Sequence, residues 1–153
     1  MTVQARLDAL GIVLPTPAAP VANYLPFKVD GTLVSISGQL PMTPDGLLFT
    51  GTVGRDLSLE EGKASARQCG INIIAQLNAA TDGDLERVAS IYRLGGYVNS
   101  IDGFADQPQI INAASDLMVE VFGDLGRHSR SAVGVPGLPL NAPVEIEALA
   151  VLK

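Results

Sequence analysis

Arg130 and Glu145 are the two side chains of this sequence whose types suit hydrolysis of a small charged molecule. A guanidinium stays charged at every physiological pH, and its planar fork matches a carboxylate. A carboxylate near it can orient or deprotonate a water. Both residues stand in the last two apolar, β-branched runs of the chain, read as strands over Arg130–Val135 and Val144–Leu152. Side chains alternate across a strand. Taking Val133 and Val135, with Val144, Ile146 and Ala148, as the core-facing set leaves Arg130, Ala132 and Gly134 on the other face, with Glu145, Glu147, Leu149 and Val151. This parity predicts Arg130 and Glu145 together on one side of the sheet. The same pair would also serve as a cross-strand or intersubunit salt bridge, and periodicity alone favours that plainer role.

Three other residues have chemistry to offer. His128 is the chain's one histidine and lies in its only local basic cluster, Arg127-His128-Ser129-Arg130. It reads either as a general acid or, following Gly126, as an exposed loop residue, which is the commoner use. Arg127 would add charge at the mouth of a cleft. Cys69 is the single cysteine, so no intrachain disulfide is possible. It falls on an apolar helical stripe with nothing basic nearby in sequence to lower its pKa, which makes it a core thiol rather than a reactive one. One His and one Cys cannot build a zinc site, and no carboxylates cluster at metal-ligand spacing, so no metal is expected.

The elements that must hold these residues can be read along the chain. Gln4–Leu10 is a short amphipathic helix ended by Gly11, and the Pro-rich connector Leu14–Pro20 follows. Asn23–Val29 and Thr32–Ser37 read as strands, with Asp30-Gly31 as a two-residue hairpin turn in which both positions take positive φ. Pro41–Gly54 reads as a loop with a short strand at Gly46–Phe49. Ser58-Leu-Glu-Glu61 is a capping box, and Ala66, Cys69, Ile73, Ile74, Leu77 and Ala80 then recur at three and four, the stripe of a half-buried helix. Val88–Asn99 is a strand whose Gly95-Gly96 marks a bulge or a close backbone approach. A second helix runs from about Gln107 to Phe122, with Asp106 as N-cap, Pro108 in the first turn and Gly123 past the end. The order is α+β, with both main helices on one face of a single sheet. The other face mixes large apolar and charged groups with no helix left to cover it, which predicts a homo-oligomer.

Composition sets outer bounds. At 153 residues, 47% apolar and 17% charged, the chain is long enough for one packed domain. A net charge of −6 with no Trp argues against general nucleic-acid binding, which rests on basic surface and stacking aromatics. No apolar run reaches the roughly 18 residues of a membrane span. The N-terminus MTVQARLDALGIVLP breaks the apolar stretch a signal peptide needs, so a cytoplasmic protein is expected, with no membrane partner.

The run from Arg130 to Ala150 resembles the RidA/YjgF signature R-x-x-V-x-V-x-x-L-P-x-x-x-x-V-E-I-E-x-x-A at each fixed position, through Val133, Val135, Leu138, Pro139, Val144, Glu145, Ile146 and Glu147. Ser37-Gly38-Gln39 followed by Pro41 is similar to that family's S-G-Q-x-P element. Tyr24 falls where the family has a first-strand Tyr, and Asn112, before Ala113, where it has an Asn on the second helix. The likeness runs from about Pro20 to the C-terminus and divides the chain into residues 1–19, an N-terminal helix and connector longer than the basic family pattern, and a family-like domain over 20–153. Extra residues lie in the Asp102–Pro108 loop, and Ala132 stands where many members have Cys.

The resemblance implies a chorismate-mutase-like fold: a six-stranded mixed sheet with two helices on one face, in a homotrimer whose other faces form a central barrel. Clefts between subunits would take a small carboxylated substrate. Arg130 and the Ala132 N–H would grip its carboxylate, Glu145 would orient the attacking water, and Tyr24, Gly38 and Asn112 would line the pocket, partly from the adjacent chain. The implied reaction turns a 2-imino acid or its enamine into the 2-keto acid and ammonia, without a cofactor. A non-catalytic binder of keto acids or other small metabolites is the alternative. A ribonuclease or translation-inhibiting role, suggested by labels the family carries, is disfavoured by the acidic balance and the lone His.

Overall fold

Local sequence signals set both main helices where spacing predicts them. In the computed structural model, which describes residues 1–17 and 22–153, Ser58 and Glu61 close the capping box at the start of α2 (Leu59–Ala80). The stripe Ala66, Cys69, Ile73, Ile74 and Leu77 is buried. α3 (Gln107–Phe122) buries Ile110, Ile111, Ala114, Leu117, Met118 and Val121. The Asp106 carboxylate does not cap it; that group accepts from the Gln109 side-chain amide at 3.1 Å. An N-terminal helix, α1 (Val3–Ala9), is capped by Thr2 and packs against α3 through elements that include the buried Leu7. The end of the Pro-rich connector and the boundary expected between residues 19 and 20 lie outside the described residues.

The strands are β1 (Phe27–Asp30), β2 (Leu33–Gln39), β3 (Met42–Thr43), β4 (Gly46–Leu47), β5 (Val88–Asn99), β6 (Ser129–Val135) and β7 (Val144–Leu152). Among the described residues five of them form the main sheet, in the order β1-β2-β7-β5-β6, where six were expected. Among the described residues β3 and β4 pair only with each other, across a turn at Gly46, which takes φ 106. The Asn72 side-chain amide of α2 holds that turn by donating to the Leu40 and Met42 carbonyls at 2.9 and 3.0 Å. The first hairpin is displaced by one residue from the expected turn. Asp30 pairs with Leu33, so Gly31-Thr32 is the loop, and only Gly31 takes positive φ, the pattern of a type II′ turn.

β2 and β5 run parallel with β7 antiparallel in the slot between them, and β5 and β6 are parallel neighbours. Each main helix is the crossover of one such unit. α2 lies over β2 and β7, α3 over β5 and β6, and the two helices pack on each other. Gly96 is the predicted close approach: a Cβ there would come within 2.7 Å of Ile111 on α3.

The strand parity expected for β7 is observed: Val144, Ile146, Ala148 and Ala150 are buried beneath the helices, with Glu145, Glu147, Leu149 and Val151 on the open face. For β6 it is reversed. Val133 is 45% exposed, whereas Ala132 packs on the core and Arg130 reaches α3. The cause is the depth of the gap. α3 lies close over the edge strand, so the positions facing it take small residues: even at the exposed Gly134 a Cβ would stand 2.8 Å from the Gln107 amide and 2.9 Å from the Ser100 hydroxyl. The valines, too large for that gap, face outward. Arg130 and Glu145 of one chain therefore occupy opposite faces of the sheet.

Candidate functional site

Arg130 projects from β6 beneath α3, partly buried. One arm of its guanidinium donates to the Ser115 hydroxyl at 3.0 Å and the other to the Pro108 carbonyl at 3.2 Å. Both acceptors are neutral and both lie on α3, about two turns apart along the face that meets β6. Arg130 pairs with no carboxylate among the described residues. A guanidinium has five N–H donors, so three remain for a ligand. An arginine fixed by neutral groups, with its charge uncompensated, is suited to an anion with two acceptor oxygens.

The backbone beside it adds to that character. Ser100 donates to the Val135 carbonyl at 3.4 Å, so the polar groups of Val135, and by alternation those of Val133 and Ser131, turn toward β5. Those of Arg130, Ala132 and Gly134 face the outer edge, where among the described residues no strand pairs with β6. The Ala132 N–H thus lies free on the strand that carries the arginine.

His128 lies in the loop before β6, as expected, but it is not exposed. It is half-buried, with Nδ1 2.6 Å from the Gly126 carbonyl and Nε2 2.9 Å from the Ser115 hydroxyl. Burial pushes its pKa below the ordinary 6.5; the Gly126 carbonyl opposes that shift, and the nearby Arg130 charge adds to it. Arg127 is exposed and donates to Asp124 at 3.2 Å. Ser115 was not legible in the sequence. Its only signal is a spacing of seven from Pro108, which puts the two on one helix face.

Glu145 belongs to a second cluster, on the open face. Its carboxylate lies over Gly38 of β2, whose missing side chain leaves the space it occupies. Glu147 lies in the same way over Gly95 and accepts from the Tyr97 hydroxyl at 3.0 Å. Burial first, and the Glu147 charge second, raise the Glu145 pKa above its usual 4.5. The hydrogen bond to Glu147 is the main cause that raises Tyr97. Tyr97 and Glu147 complete a polar row that sequence reasoning did not single out, although Tyr97 stands opposite Glu145 in the β5–β7 register.

The remaining expected site residues are dispersed. Tyr24 is 60% exposed in the bend before β1. Asn112 is exposed and lines a groove between the helices with Lys63, Gln109 and Asp116. A cavity of about 160 Å³ on the open face is lined by Ser35, Arg93, Gly95, Glu147 and Leu149. Arg130 lines neither of these hollows. Cys69 is fully buried with its thiol toward the Val144 carbonyl at 3.7 Å, and desolvation raises its pKa well above the ordinary value. It is a core thiol. Among the described residues no helix is long and apolar enough to cross a membrane.

Comparison with known proteins bears on this arrangement. The family model described as "YjgF/chorismate_mutase-like, putative endoribonuclease" matches residues 4–152. Protein TCP17 of Trypanosoma cruzi is 45% identical over 152 residues, which is 99% of this chain and 94% of that one. The crystal structure of Agrobacterium tumefaciens Atu1372 superposes with a TM-score of 0.92 at 42% identity, covering 99% of this chain and 92% of the other. A structure from Shewanella oneidensis titled "putative endoribonuclease" superposes at 0.94 with 39% identity, covering 99% and 100%. The elements that carry Arg130 and Glu145 are thus those of a known fold, and the chain belongs to the YjgF family.

Proposed function

We propose that this protein hydrolyses reactive imines of 2-keto acids, acting on a 2-imino acid or its enamine and releasing the keto acid and ammonia. The observation that carries the reading is Arg130: a partly buried guanidinium, tethered by two neutral acceptors on α3, unpaired with any carboxylate among the described residues, and two residues from a free Ala132 N–H. Together they suit the carboxylate of such a substrate. The imine carbon of a protonated substrate is already electrophilic, so holding it beside a water supplies most of the rate. Glu145, with its raised pKa, is the group proposed to orient that water.

The two groups lie on opposite faces of one sheet, so the reaction needs a second copy to bring its Glu145, seated on Gly38, to the β6 edge. A trimer closed through the open faces would do so three times. The exposed Val133 and Leu33, at 45% and 42%, give that face apolar area to bury. Non-catalytic binding of a keto acid is the second reading, favoured by one fact: the grip is complete in a single chain and the carboxylate is not part of it. The ribonuclease role in the names of several relatives finds less support here, because the chain carries −6 and its one His is engaged at both nitrogens.

The test is turnover. Added to a pyridoxal-dependent dehydratase that generates 2-aminoacrylate or 2-iminobutyrate, the protein should speed keto-acid release, and Arg130→Ala should abolish the effect. Equal rates with wild type, variant and buffer would reject hydrolysis.

A further inference from the structure

A carboxylate grip does not by itself require a histidine, yet the chain's one histidine is tied to the group that holds Arg130. The Gly126 carbonyl can only accept, so the 2.6 Å contact places a proton on His128 Nδ1. In the neutral ring Nε2 then carries a lone pair, and the Ser115 hydroxyl donates to it across 2.9 Å. With its proton so committed, Ser115 Oγ presents lone pairs to the Arg130 N–H at 3.0 Å. Each link has one assignment of donor and acceptor. The chain runs from Arg130 through Ser115 and His128 to the Gly126 backbone.

We propose that Ser115 and His128 are positioning residues for Arg130: His128 sets the Ser115 hydroxyl, and Ser115 fixes one arm of the guanidinium so that the remaining donors are presented to an anion in one orientation. This rests on the reading of Arg130 as a carboxylate grip. Without the histidine the hydroxyl is free to rotate, and its proton can turn toward the guanidinium. Without the hydroxyl one arm loses its anchor, and a long flexible side chain must be ordered by the ligand instead. The other groups around the ring are accounted for. Arg130 is the charge that acts on it from β6, α3 offers the neutral Ser115, and the Asp124 carboxylate that follows α3 is engaged by the exposed Arg127.

The sole histidine makes the test clean, because its ring protons give one set of NMR signals in the full-length protein. 2-Oxobutyrate serves as the probe. Its binding should move those signals and raise the apparent pKa of the ring, since the anion offsets the Arg130 charge. Ser115→Ala should raise the Kd for 2-oxobutyrate about tenfold, the size expected for one hydrogen bond to a charged group. Ser115→Thr should restore most of the affinity, and His128→Ala should weaken it, with melting curves showing that each variant folds. His128→Gln serves in place of His128→Ala if the latter does not fold. Wild-type affinity in Ser115→Ala and in the His128 variant, with binding lost in Arg130→Ala, overturns the positioning role and leaves the grip standing. No binding to wild type, with the ring signals unmoved, overturns the grip and the positioning with it.

Discussion

Gly38 is where the proposed water-orienting carboxylate can be displaced without touching it. A Cβ at Gly38 would collide with Glu145 Oε1 and stand 2.9 Å from Cδ and 3.1 Å from Cγ. These obstructing atoms all belong to the outer part of one flexible side chain. Gly38→Ala should therefore move the carboxylate and leave the sheet in place. The stability terms nearly cancel: replacing Gly where φ is ordinary gains about 0.4–1 kcal/mol by restricting the unfolded chain, and a forced side-chain rotamer costs about 0.5–1.5 kcal/mol. A net change within about 1 kcal/mol moves Tm by roughly 2–4 °C in a chain of this size. The catalytic effect should be far larger, since a misplacement of about 1 Å costs on the order of 10²-fold in rate. Arg130 is untouched, so the loss should fall on kcat, with KM nearly unchanged. Thermal melting and the dehydratase-coupled assay measure the two effects separately. A kcat within twofold of wild type would refute the role of the seated Glu145, and a fall in Tm beyond about 10 °C would show that the clash is not absorbed by a side chain.

Two further outcomes follow from the same geometry. The pKa of Glu145 is raised in the folded state, by burial and then by Glu147, so the contribution of this group to stability is full below its ordinary 4.5 and is lost as pH rises through the raised value. In urea titrations Glu145→Gln should match wild type at a pH of about 4 and exceed it at neutral pH; a difference independent of pH would contradict the shift. In the second, Arg130→Ala and Glu145→Gln copies, each inactive alone, should recover about a quarter of wild-type turnover when refolded together, if every site joins two chains at random. Mixtures no more active than the separate variants would place both groups in the service of one chain or of none.

Much of the scaffold was legible because its signals are local. The Ser58–Glu61 box, the three-and-four stripe of α2 and the Gly123 stop are short-range features, and the structure keeps them. The hairpin turn was misread by one residue because Asp-Gly and Gly-Thr overlap as turn dipeptides, and register against β7 decides between them. The β6 parity failed for a different reason. Size is the usual mark of burial, but at an edge strand under a close helix the residues facing the helix are the small ones, Ala132 against the core and Gly134 beside Gln107. His128 and Ser115 were illegible as a pair because their contact depends on how α3 lies across the start of β6. No spacing within either element encodes that.

The division between the two faces has its own logic. Where opposite charges meet within this chain they satisfy each other, as Arg67 and Glu120 do at 3.0 Å between the main helices. A glutamate beside Arg130 in the same chain would do likewise, and a substrate carboxylate would then have to displace it. Keeping the two on opposite faces leaves the guanidinium held only by a hydroxyl and a carbonyl, groups that fix its direction without neutralising its charge. It also leaves Glu145 beside Glu147 in a partly desolvated row, where burial and the neighbouring charge raise its proton affinity. In a site built between two copies, each half would keep the property it would lose if the halves were joined in one chain. The outer edge of β6, with which no strand pairs among the described residues, would leave the Ala132 N–H to the ligand proposed for Arg130.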